Sequence, residues 1–329
     1  MSDAILANAA CFFETSDKAL AEELLLRAQA LDPKGPWSAR LGKYYAAVLA
    51  GRYVYAPGQA LQCVVAAEPH GPYADSIRKK LAESKDDIIL TSAALDLLRT
   101  PRRWGSSDEP GAMARPWLER ALLLNPGLLE AQMELVDIRY RERLGRAYRR
   151  LGNVAPISQY QAVAALPDNE RFELLGNFAV STYREGEGAA QYDNLKHIVR
   201  SARQRSKRYA EDLLNLAPRF REHPDYGAAI YKANMVLASL AFRDGDRQAA
   251  VRYMQKAAKA PASEELRYSR SIASWGLLKE LLNAGERESV IEFLEKMARM
   301  NVARRDYLRD SAAAIRGGQM PTFDRRPYW

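Results

Sequence analysis

Any chemistry in this chain would have to come from a few residue types. There are three histidines, His70, His197 and His223, and two cysteines, Cys11 and Cys63. Histidine titrates near neutral pH and is the commonest metal ligand, but these three are isolated in sequence. His70 and His223 stand beside prolines, where a polar turn residue is the simpler expectation. Cys11 lies next to Phe12-Phe13 and Cys63 next to Val64-Val65, so both are expected to be buried and unreactive. Without a C-x-x-C pair, neither a zinc site nor a disulfide framework is indicated. Ser76-Ile77-Arg78-Lys79 fits S-x-x-K, in which a lysine would activate a serine. The companion S-D-N and K-T-G elements are missing, and the four residues are expected on an exposed helix face. The sequence has no H-E-x-x-H, Walker A run, G-x-G-x-x-G or G-x-S-x-G, the commonest metal, phosphate and nucleophile signatures. Gly186 and Gly188 could form an anion-binding turn ahead of a helix, but Glu185 and Glu187 would repel phosphate, so a plain inter-helix turn is expected. No catalytic residue, cofactor or metal is assigned.

The arginines are the remaining candidates. The net charge is +8, and the stretch from Arg139 to Ala210 holds 14 basic against 7 acidic residues. Arg139, Arg143, Arg146 and Arg150 recur at helical spacing, as do Arg200, Arg203 and Lys207, so each set falls on one helix face and the two would make a positive stripe if their helices lay side by side. Like charges stacked this way repel, which calls for partners. Internal carboxylates such as Glu134, Asp137, Glu170, Glu173, Glu211 and Asp212 would complete a solvated salt-bridge face, and this is the expected outcome. An acidic peptide or a phosphate backbone is the alternative, with Tyr140, Tyr148 and Tyr209 available to stack on bases unless they are core residues. Trp37, Trp117 and Trp275 fall in helical patterns and are expected in the core. Trp104 and Trp329 fall in a loop and a tail, where a large aromatic could anchor a partner.

The elements that position these residues are helices. At 329 residues, 47% hydrophobic and 27% charged, the composition excludes disordered and collagen-like classes. No apolar run approaches ~18 residues, and the N-terminus lacks a basic region with a cleavage site. The expected location is therefore cytoplasmic. Apolar residues recur every three or four positions and strand-like alternation is nearly absent, so the fold class is all-α. Helices should break at Asp32-Pro33, Glu68-Pro69, Asn125-Pro126, Leu166-Pro167, His223-Pro224 and Ala260-Pro261, where proline cannot continue them. A long loop is expected over 100–112 and a frayed tail over 317–329. Ala9, Ala21 and Ala28 are 12 and 7 residues apart, and Ala238, Ala250 and Ala257 repeat that spacing. Small residues at fixed intervals let two helices approach where they cross, with bulkier neighbours such as Phe12, Leu25 and Met254 filling the space beside them.

On these residues the sequence resembles the tetratricopeptide repeat family, and it is similar as a whole to uncharacterised bacterial tetratricopeptide-like proteins. Ala9 and Phe12 match the first helix of the unit, Ala21, Leu25 and Ala28 the second, and Pro33 its end. Trp37, Leu41-Gly42 and Tyr45 resemble the opening of the next unit. Ala114, Leu118, Ala121 and Pro126 match another second helix, and Gly245-Asp246 the turn before Ala250, Met254 and Ala257. Leu278, Val290 and Met297, after the turn Gly285-Glu286, replace small residues as in an end repeat.

The resemblance implies an α-solenoid of about seven or eight antiparallel helix hairpins. Repeat-like hairpins would occupy 1–99, 113–138 and 225–316, with an irregular basic segment over 139–224 between them. It implies a non-catalytic scaffold whose surface holds a peptide or partner protein, with Asn8, Arg40, Lys43 and Asn234 presented on first-helix faces. Nucleic-acid or other polyanion binding through residues 139–210 is the second expectation, and an enzyme without a recognisable motif the third. No membrane partner is expected.

Overall fold

The computed structural model describes residues 2–14, 16–50, 53–55, 62–64, 71–99, 110–152, 154, 158–269 and 275–323. His70, Trp104, Trp329 and the side chain of Cys63 lie outside the described residues. Sixteen α-helices are formed among them, and the all-α reading holds apart from one short antiparallel ribbon. In that ribbon β1 (Tyr53–Tyr55) pairs with β2 (Gln62–Val64), Tyr53 opposite Val64. The chain divides into two compact units, residues 1–138 and 139–329. Among the described residues no helix is long and apolar enough to cross a membrane.

The first unit holds α1 (Asp3–Phe13), α2 (Lys18–Leu31), α3 (Trp37–Ala50), α4 (Pro72–Glu83), α5 (Asp87–Leu98), α6 (Pro110–Leu124) and the first turns of α7 (Leu129–Leu151). Local signals set several starts: the Asp17 side chain accepts from the Leu20 N–H at 3.0 Å, and Asp86 caps α5 through the Ile88 and Ile89 N–H groups at 2.9 Å, each satisfying donors that a helix start leaves open. Pairs α1/α2, α3/α5 and α5/α6 pack along their length. Pro110-Gly111-Ala112, expected in the loop, instead opens α6, because proline in a first helical turn gives up only a hydrogen bond the helix would not make.

Ala21 and Ala28 of α2 have no exposed surface, and Leu25 between them is equally buried. The register of α1 differs from the expected one. Leu6, Ala7, Ala10 and Cys11 face inward, whereas Ala9 is only half-buried and Phe12 is 65% exposed. The spacing to Ala21 and Ala28 matched Ala9, but the apolar stripe of α1 is set by Leu6 and Ala10.

The second unit holds the rest of α7, then α8 (Gln159–Ala164), α9 (Asp168–Ala189), α10 (Lys196–Leu216), α11 (Tyr226–Arg243), α12 (Arg247–Ala258), α13 (Glu264–Tyr268), α14 (Trp275–Asn283), α15 (Arg287–Met300) and α16 (Arg305–Arg316). The stretch expected to be irregular is dominated by a long pair, α9 and α10, of 22 and 21 residues. Helices of that length do not fit a 34-residue hairpin. Gly186 and Gly188 do not form a turn. They lie inside α9, and Gly186 is buried where α9 meets Ala202 of α10, so the first of two glycines read as a break serves close helix packing instead.

Further along, α11/α12 and α15/α16 pair. Gly245 (φ +82°) and Gly285 (φ +90°) turn the chain after α11 and α14 in the left-handed region that favours glycine. Ala238, Ala250, Met254 and Ala257 have no exposed surface, and neither do Leu278, Val290 and Met297. The last three are not at an uncovered end, because α16 packs on α15. The described part of the tail, through Phe323, is held as well: the Tyr307 hydroxyl donates to the Thr322 carbonyl at 2.9 Å, and Phe323 stacks on Trp275 at 5.4 Å.

Candidate functional site

The arginine-rich end of α7 borders an open cleft in the second unit. Leu144, Ala147, Tyr148 and Leu151 form the apolar stripe that anchors this part of α7 in the core, where the Tyr148 and Phe178 rings meet edge to face at 5.4 Å. That leaves Arg146, Arg149 and Arg150 on the outer side. Opposite them, Pro167 ends the preceding turn and α9 begins, carrying Asn169, Glu170 and Glu173 in its first two turns. Between the two helices is a cleft of about 500 Å³ lined by these six side chains and Ala147.

The lining groups are tied back unequally. Arg150 is paired with Glu170, which is 7% exposed and whose Oε2 has no hydrogen-bond partner. Glu173 lies 3.8 Å from His223 Nε2. The His223 ring in turn meets the edge of Phe172, which stacks on Phe220 at 4.9 Å. Arg146 and Arg149 are exposed and have no carboxylate partner among the described residues. Three arginines against two glutamates give the cleft a single formal positive charge.

Several of the other arginines of the basic segment are bridged. Arg143 makes a bidentate pair with Asp225, 2.7–3.1 Å. Arg203 and Arg205 of α10 reach Glu187 and Glu185 of α9 at 3.2 and 3.0 Å, and Arg139 is 3.7 Å from Glu264. Arg200 is exposed. The two arginine sets do not build one stripe. α10 packs on α9 and α11, and glutamates of α9 stand beside its arginines. Of the carboxylates expected as partners, Glu170 serves as one for the α7 set, but Asp225, 82 residues from Arg143, does more for it, and no local spacing signals that pairing.

No protein-family model matches this chain, and no curated protein matches it significantly.

Two of the residues expected on a binding surface are corrected. Arg40 is 8% exposed and held by Glu14, which has no exposed surface, with Cys11 Sγ 3.5 Å from its guanidinium. Asn234 is 4% exposed and donates to the Ile230 carbonyl one turn back at 2.8 Å. Both are interior polar residues whose hydrogen bonds stay inside the unit. Asn8 and Lys43 are exposed.

Buried polar groups elsewhere are structural anchors. Lys232 sits over the Tyr140 ring at 4.4 Å and bonds to Glu265 at 2.6 Å. Burial alone would lower its pKa, but Glu265 and Tyr140 more than offset that and hold it charged. In the first unit Glu22 accepts from Tyr45, from Tyr73 at 3.1 Å and from Lys80 at 2.7 Å. Among the described residues no group of three or more His, Cys, Asp or Glu is gathered to hold a metal ion. Ser76 and Lys79 lie on the exposed side of α4.

Proposed function

We propose that the chain is a non-catalytic scaffold that holds a segment of a partner protein on stacked helix hairpins of the tetratricopeptide-like kind. The hairpin reading is supported by the fully buried Ala21, Ala28, Ala250 and Ala257 with Leu25 and Met254 between them, the pattern that lets paired helices close on one another. The observation that carries the binding role is the open cleft between α7 and α9. There, cationic side chains are left without carboxylate partners while neighbouring arginines are bridged. Such a concave patch with a few convergent polar groups is where a ligand gains most from contact.

A polyanion role for the basic segment is the second reading, favoured by the exposed Arg146, Arg149, Arg200 and Lys207. It is weakened by the internal pairing of Arg143, Arg150, Arg203 and Arg205, since a bridged arginine releases no counterion on meeting phosphate. The test is a selection of random displayed peptides on the immobilised full chain. The scaffold reading expects a family of peptides that bind saturably in solution, and failure to enrich any would remove it.

A further inference from the structure

We infer that the α7/α9 cleft receives a single carboxylate side chain, Asp or Glu, from an extended segment of the partner. The inference rests on the scaffold reading above and adds the chemistry of the ligand. Arg146 and Arg149 are three residues apart on α7, so their guanidinium groups rise from the same helix face beside the cleft. The guanidinium fork matches a carboxylate bidentately, and nothing else among the described residues takes that role for these two.

The charge balance of the lining limits what can enter. Glu170 already occupies Arg150, and Glu173 faces the same space. With one net positive charge, the cleft is neutralised by one carboxylate. A phosphate dianion would leave an excess negative charge beside two glutamates, and a nucleic-acid backbone would bring several. The volume of about 500 Å³ exceeds a single side chain, which leaves room for the flanking peptide backbone, whose N–H groups can bond to Glu173 and to the side-chain oxygen of Asn169. Of the α10 arginines, Arg205 and Arg203 are taken by Glu185 and Glu187, and the exposed Arg200 and Arg208 are not part of the cleft lining.

The test uses the full-length chain and a display library of random peptides about twelve residues long. Wild type is compared with Arg146→Gln/Arg149→Gln, and with Arg200→Gln/Lys207→Gln as a control of equal charge change on α10. All four residues are exposed, and a thermal melt verifies that each variant folds. The expected result is enrichment of Asp or Glu at one fixed position of the selected peptides. The affinity of a synthesised binder should fall at least about tenfold in the cleft variant and less than about twofold in the α10 variant, and its Asp-to-Asn or Glu-to-Gln version should lose affinity for wild type to the same degree. Peptides enriched without an acidic position, or binding both variants equally, overturn the cleft assignment and leave the scaffold reading standing. Enrichment of no peptide removes both. Displacement of the acidic peptide by inorganic phosphate or single-stranded RNA at equal concentration would also overturn the carboxylate assignment, in favour of a general anion site.

Discussion

Glu14 carries a carboxyl group held out of water. It has no exposed surface, and its Oε2 and Arg40 Nη1 both lack hydrogen-bond partners. Burial raises its pKa from 4.5 to about 7, against the attraction of Arg40. The folded state therefore holds a proton that the unfolded chain has already released above pH 4.5. The stabilisation from that proton is fully present below 4.5 and is lost as pH rises through about 7. By linkage, unfolding free energy should fall by up to about 3 kcal/mol across that window. Glu14→Gln, which keeps the shape without the charge, should flatten this part of the pH profile in chemical denaturation. An unchanged slope would show that Glu14 is not the titrating group. The Arg143–Asp225 pair makes a second prediction. Its side chains are 17% and 14% exposed and its geometry is bidentate, so a double-mutant cycle with Arg143→Gln and Asp225→Asn should give a coupling of about 1–2 kcal/mol. Neither pair is legible in the sequence. Arg40 falls at a position where a repeat would display it, and only the folded chain brings Glu14, 26 residues away, against it. The burial of Cys11 could be read from its immediate neighbours, because local apolar context decides it, whereas the contacts of His223 with Glu173 and Phe172 come from residues about fifty positions away and could not.

At the scale of elements, breaks were legible and partnerships were not. Prolines 33, 126, 167, 224 and 261 all fall between helices, since proline and the capping aspartates act within one turn of the chain. The lengths of α9 and α10 escaped the repeat register because nothing local stops them: Gly186 and Gly188 look like a break until Ala202 is seen against the first of them. Two substitutions probe the packing. A side chain on Gly42 of α3 would put its Cβ 2.5 Å from the Ile89 carbonyl oxygen of α5. Gly42→Ala should therefore force the two helices apart and cost about 1–3 kcal/mol, even though alanine favours helix. Ala250, fully buried on α12, should respond alike to Ala250→Leu, by about 1–3 kcal/mol of overpacking. Wild-type denaturation midpoints in both would mean that these helices are not closely packed there.

For the whole molecule the deciding quantity is how much of the +8 charge remains available to a partner. A phosphate backbone gains affinity only from cations whose counterions it releases, and log K falls with log salt by about 0.7 per phosphate contact for a single strand. Exposed cations without carboxylate partners are few in the basic segment, and they stand on separate helices, with Arg146 and Arg149 on α7 and Arg200, Lys207 and Arg208 on α10. A strand following one of these helices would meet at most three such cations and then bridged arginines, giving a slope no steeper than about −2. A fluorescence titration with generic single-stranded RNA should accordingly show no saturable binding at moderate salt, and raising salt from about 50 to 200 mM should weaken any low-salt binding by less than about twentyfold. A slope steeper than about −3 would require at least five phosphate contacts. That would mean Arg143, Arg203 and Arg205 leave Asp225, Glu187 and Glu185 to meet the strand, and the polyanion reading would then displace the scaffold. The formal charge, taken alone, favours nucleic acid; the pairing of the arginines, which only the folded chain brings about, reverses that preference.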